Sequence, residues 1–96
     1  MLIAKVIGTT VSTIKDEKIT GRKLLIVRQT DEKGEPNGKP YVAVDTVNAG
    51  VGDLVLTASG SSARQTTITK DRPIDAVIMA MIDSLEVDGK VTFTKG

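Results

Sequence analysis

The chain predicts an all-β domain: a small OB-like five-stranded barrel with one short helical turn and a C-terminal hairpin. Three observations carry this. Apolar and polar residues alternate with period two, and β-branched residues are enriched. Turn-forming clusters separate runs of strand length. An Asp88-Gly89 pair sits between two such runs near the end.

Leu2 to Ile14 alternates throughout, with Ile3, Lys5, Ile7, Thr9 and Val11 on one face and Leu2, Ala4, Val6, Gly8 and Thr10 on the other. It reads as one long strand, with Gly8 as a bend or bulge. Asp16-Glu17-Lys18 is a polar turn and Gly21 a second break. Lys23 to Gln29 is the next strand, more continuously apolar and paired with the first in a meander. Asp31 to Lys39 gathers Gly34, Pro36, Asn37 and Gly38 and is expected to be an exposed loop. Tyr41 to Asp45 and Asp53 to Ala58 are two further strands around the Thr46 to Gly52 loop. Ser59 to Gln65 is expected to form the helical turn, capped by Ser59, Ser61 or Ser62.

Pro73 to Val87 admits two readings. Asp71 ahead of Pro73 is a helix-start signal, and Ala76 to Ile82 could wind as an apolar helix. The strand reading is preferred, because the run leads through Asp88-Gly89 into Val91-Thr92-Phe93. As a strand it has two apolar faces, Ala76, Ile78, Ala80 and Ile82 on one and Val77, Met79 and Met81 on the other. A one-domain antiparallel sheet should have a polar outer face, so the second is expected to be covered by another subunit.

Ninety-six residues make one domain, residues 1–96, whose core is small. Domains of this size add disulfides, a metal or oligomerisation, and the chain has neither cysteine nor histidine. Oligomerisation is the remaining route. Thirteen basic and twelve acidic residues leave a formal charge of +1, which provides no field for gathering nucleic acid or anionic lipid. The apolar start lacks a basic leader and a cleavage site, and no run approaches the ~20 residues that span a bilayer, so a cytoplasmic protein is expected.

Candidate chemistry is thin. Without histidine or cysteine, a nucleophile would need serine activated by lysine or a carboxylate pair. Ser61, Ser62 and Lys70 are the available members of such a dyad, but serines in a Gly-Ser-Ser stretch more often cap or bond backbone. Asp45, Asp75 and Asp83 lie beside apolar strand residues and could be buried carboxylates, but the better reading is strand-end caps that bridge to basic groups, with Arg64 or Arg72 as candidate partners. A phosphate cradle at Asn48 to Gly52 would need a following helix with lysine, and a strand follows instead. The alternative of an OB-fold nucleic-acid-binding module would need aromatic platforms in a basic groove. The two aromatics, Tyr41 and Phe93, are far apart, and the cations are interleaved with acids. No catalytic residue, cofactor or metal is expected.

Several segments, in order and at matching spacing, resemble the EutN/CcmL family of bacterial microcompartment vertex proteins. They are Ala4 to Thr13, Lys23 to Arg28, Val42 to Gly52, Gly60-Ser61-Ser62-Ala63-Arg64 and Pro73 to Asp83. Asn48 stands where the family commonly carries glycine, and asparagine also tolerates left-handed backbone. The resemblance implies a structural protein of the bacterial cytoplasm, found in the shell of a carboxysome or metabolosome. It implies a cyclic homopentamer that closes five-fold corners among hexameric and pseudohexameric shell proteins, with no nucleic-acid or membrane partner. It also places the turn Asn48, Ala49 and Gly50 at the five-fold axis or pore. Gly60, Ser61, Ser62 and Arg64 are expected to form a corner or subunit interface, where a guanidinium can bridge several acceptors.

Overall fold

The computed structural model of the chain describes residues 1–10, 22–59 and 76–95. Among these, every regular element is a strand: β1 (Leu2–Thr9), β2 (Lys23–Thr30), β3 (Pro36–Asp45), β4 (Leu54–Ser59), β5 (Ala76–Met81), β6 (Ser84–Val87) and β7 (Lys90–Thr94). The first five close into a barrel in the order β1-β2-β3-β5-β4, and β6-β7 form a separate two-stranded sheet. The helical turn expected over Ser59 to Gln65 lies, beyond Ser59 at the end of β4, outside the described residues.

Closure depends on one parallel contact. β1–β2, β2–β3, β1–β4 and β4–β5 are antiparallel, while β3 and β5 run parallel through Ala43↔Ala76, Val44↔Val77 and Asp45↔Ile78. The interior is correspondingly narrow. Ala4, Ala43 and Ala76 share it with Val6, Val27, Val55, Leu25 and Ile78, all essentially inaccessible to solvent. A second apolar cluster joins Val44 and Val77, with Leu24 packed against it.

The alternation expected in the first strand holds for Ala4 and Val6, which are buried, and Lys5, which is partly exposed. Val6 pairs with Val27 and Gly8 with Ile26, so the irregularity foreseen at Gly8 is a bulge whose extra residue is Ile7.

Two other expectations are corrected. The strand expected from Tyr41 starts at Pro36, because residues 36–40 pair with the end of β2 rather than forming part of the loop. Prolines fit there because β5 contacts β3 only at Ala43 to Asp45, leaving the earlier half an edge. Gly38 lets the backbones approach: a Cβ there would lie 2.9 Å from the Gln29 Cβ.

The run from Pro73 to Val87 is strand where described, but it is not one strand with simple alternation. Thr57 pairs with Ile78 and Leu56 with Ala80, which makes Met79 a bulge residue and reverses the faces after it. Met81 thus shares a face with Val55, while Ile82 is buried and donates its N–H to the Leu54 carbonyl at 2.8 Å. The strand then breaks before β6.

The Asp88-Gly89 hairpin is present. Both residues have positive φ, 53° and 79°, the conformation that a two-residue turn matched to strand twist requires. Its open end is closed by the Lys95 N–H to the Asp83 carbonyl, and it is tied to the β2–β3 turn by the Thr92 hydroxyl to the Glu32 carbonyl. Phe93 packs over Gly34, where an added Cβ would come within 3.1 Å of the ring.

Candidate functional site

The loop between β3 and β4 is held by a small polar cluster at one end of the barrel. Antiparallel pairing sets Lys23 opposite Asp45. The Asp45 side chain is only 1% exposed, and its Oδ2 lies 3.4 Å from the Lys23 Nζ. That ammonium also donates to the Ala49 carbonyl at 2.6 Å, linking the start of β2 to the loop. The other Asp45 oxygen accepts the Val47 N–H at 3.0 Å, an aspartate turn that starts the loop. Thr46 donates its hydroxyl to the Ile78 carbonyl at 2.7 Å, fastening the loop to β5.

The second half of the loop is internally bonded. Gly50 donates to the Asp53 carboxylate at 2.8 Å, Asp53 returns its N–H to the Gly50 carbonyl, and Gly52 donates to the Val6 carbonyl at 2.9 Å. These amides are committed within the chain, so the loop is not a phosphate cradle. Arg22, Lys23, Asp45, Thr46, Val47 and Asn48 line a shallow polar cleft of about 420 Å³ beside it.

Asn48, Ala49 and Gly50 therefore lie in one turn, but they differ in role. Asn48 is exposed and left-handed at φ 60°, the backbone state anticipated for an asparagine in a glycine position. Ala49 is fully buried in the barrel core, so its small size already has a cause within one chain. Gly50 is partly exposed, and a Cβ would meet nothing closer than the Asp53 carboxylate at 4.0 Å. Val51, 65% exposed, projects from the same loop. Gly60, Ser61, Ser62 and Arg64 lie outside the described residues, as do Lys70, Arg72 and Asp75.

Sequence reasoning missed Lys23. It weighed arginines as partners for Asp45, and the partner found is this lysine, visible only once the β2–β3 register is known. The two aromatics are also accounted for structurally. The Tyr41 hydroxyl shares a 2.6 Å hydrogen bond with the buried Thr57, and burial raises the phenol pKa more than that bond lowers it. Asp31 caps the β2–β3 turn by accepting the Glu35 and Lys33 N–H groups, which hold its carboxyl below the ordinary range. Among the described residues, no group of three or more potential ligand side chains could hold a metal ion.

Comparison with known proteins gives the same direction throughout. The chain is 48% identical over 86 residues to the microcompartment shell vertex protein GrpN of Rhodospirillum rubrum, covering 90% of this chain and 97% of the relative. The solved structure of the pentameric GrpN shell protein superimposes with a TM-score of 0.76 at 46% identity, over 91% of this chain and 99% of that one. The solved structure of CcmL from Nostoc sp. PCC 7120 gives a TM-score of 0.85 at 44% identity, over 99% of this chain and 100% of that one. Residues 1–83 match the family pattern described as ethanolamine utilisation protein EutN/carboxysome. With a five-stranded barrel and near full-length likeness to these shell proteins, the chain belongs to the EutN/CcmL family.

Proposed function

We propose that this chain is a structural shell protein that assembles as a cyclic homopentamer and caps the five-fold vertices of a bacterial microcompartment. The observation that carries the reading is near full-length likeness, in sequence and in fold, to the pentameric GrpN shell protein. The relatives are shell proteins rather than enzymes, and Thr46, Ala49, Gly50 and Asp53 of the β3–β4 loop spend hydrogen-bonding groups within their own chain.

Physical chemistry supports a ring. A domain of this length has a marginal core, and Met79 and Met81 remain 40% and 37% exposed on one isolated chain. Each ring contact joins unlike faces of successive subunits, and a fixed rotation closes the circle. Five-fold rings then occupy positions where a sheet of hexameric and pseudohexameric shell proteins must curve. In this reading the Asn48–Ala49–Gly50 turn lies nearest the axis: Asn48 is exposed, and among the described residues Gly50 has no steric cause within its own chain. The protein works in the bacterial cytoplasm as part of the shell.

Native mass spectrometry tests assembly, with a predominant species of five chain masses expected. A chain that stays monomeric at micromolar concentration in physiological salt overturns the reading. Co-expression with hexameric shell proteins tests closure. Closed polyhedra should form with this chain and open sheets or tubes without it.

A further inference from the structure

The outer face of the β1–β2 pair carries two cations that have no counter-ion among the described residues. Lys5 and Arg28 stand directly opposite each other, and both are half-buried. Like charges so placed repel. Among the described residues neither has an ion-pair partner, and the Arg28 Nε is shielded from water with no acceptor among them. Ile7, 38% exposed at the neighbouring bulge, adds an apolar element to this face.

The C-terminal hairpin carries the complement. Val87 and Val91 at its tip are 37% and 63% exposed, and Glu86 and Asp88 place two exposed carboxylates against one ammonium, Lys90. Among the described residues neither acid has an ion pair. A two-stranded hairpin is marginal by itself, and this one is anchored at Thr92 and Phe93 while its tip is bare. It also lies beyond residue 83, where the family match ends, so the family pattern does not specify what it touches.

We infer that the hairpin tip of one copy seats on the outer β1–β2 face of the next, with Glu86 and Asp88 against Lys5 and Arg28 and the tip valines over Ile7. The inference rests on the ring proposed above. Acid and base on different elements of one chain produce the head-to-tail contact that a ring needs. A carboxylate brought to the open edge of the Arg28 guanidinium supplies a counter-ion that the described residues do not.

Charge reversal with rescue tests the contact, read as the subunit concentration at which the ring dissociates, by native mass spectrometry and sedimentation. Arg28→Glu, and separately Glu86→Arg with Asp88→Lys, should each raise that concentration about tenfold or more. Combining Arg28→Glu with Glu86→Arg should return it to within roughly threefold of the parent. Arg28→Met, which keeps the apolar stem, should weaken the ring less than Arg28→Glu while leaving the circular dichroism spectrum unchanged. A ring indifferent to reversal, or a combined variant as weak as the worse single one, overturns the contact while leaving the pentamer standing. A ring that stays intact while binding to hexameric shell proteins is lost would assign the face to a different partner and overturn the second-copy occupant. A parent chain that never leaves the monomer overturns the ring, and the contact with it.

Discussion

Replacing Lys23 with methionine keeps the apolar stem and removes the charge that joins Asp45 to the Ala49 carbonyl. Two losses follow: a 2.6 Å charge-assisted hydrogen bond and the counter-ion of a carboxylate only 1% exposed. The first contributes about 1.5–3 kcal/mol. Stranding a fully buried charge costs about 3–5 kcal/mol, but the lysine side chain is 48% exposed, and water screens much of the pair. A net destabilisation of about 2 kcal/mol is expected, which for a domain of this length is roughly 10 °C in Tm. Thermal unfolding followed by circular dichroism at one fixed protein concentration measures it, since assembly would make Tm concentration-dependent. Amide exchange at Val47 and Asp53 should quicken as the loop loosens. Adding Asp45→Asn removes the stranded charge while keeping an oxygen for the Val47 amide, so the double variant should recover about half of the loss. A Lys23→Met protein melting within about 2 °C of the parent would refute the role given to this lysine.

Three further outcomes follow from single contacts. The chain has one tyrosine and no tryptophan, so phenolate absorbance reports Tyr41 alone; its midpoint should lie above the ordinary value of about 10, because burial outweighs the Thr57 bond, and Thr57→Val should push it higher still. The Asp31 carboxyl is held low by the Glu35 and Lys33 amides, so its contribution is complete above the ordinary carboxylate range and lost as pH falls through its folded value. Asp31→Asn should therefore destabilise the protein at neutral pH and flatten the acid limb of the stability profile, so that parent and variant converge in acid; a constant gap would contradict this. Gly34→Ala combines a residue at φ +82° with a Cβ 3.1 Å from the Phe93 ring and should cost about 1–2 kcal/mol in chemical denaturation, whereas a neutral result would mean that the turn and hairpin base are not packed as described.

Much of the architecture was legible along the chain because its causes are local. Alternation places Ala4 and Val6 inside and Lys5 outside, since side chains of a strand point to opposite faces. Asp88-Gly89 announces its own turn, and Asn48 could be assigned a left-handed backbone because its short amide tolerates that state. The absence of histidine and cysteine limited the chemistry before any fold was considered. Other features required the folded barrel. Bulges at Ile7 and Met79 reverse the faces beyond them, yet each exists only relative to a partner strand. β3 begins at Pro36 because the end of β2 offers it a ladder, against the turn composition of its own residues. Ala49 could be read as a residue kept small for neighbouring subunits until the barrel closed over it. Lys23 meets Asp45 and Ala49 only because two distant segments pair in one register, and Ala43 meets Ala76 only because β3 and β5 close the barrel in parallel. Backbone preference is set by a residue and its immediate neighbours, whereas register, closure and ion pairing are set by which distant surfaces bury each other, and that was decided by the tertiary structure.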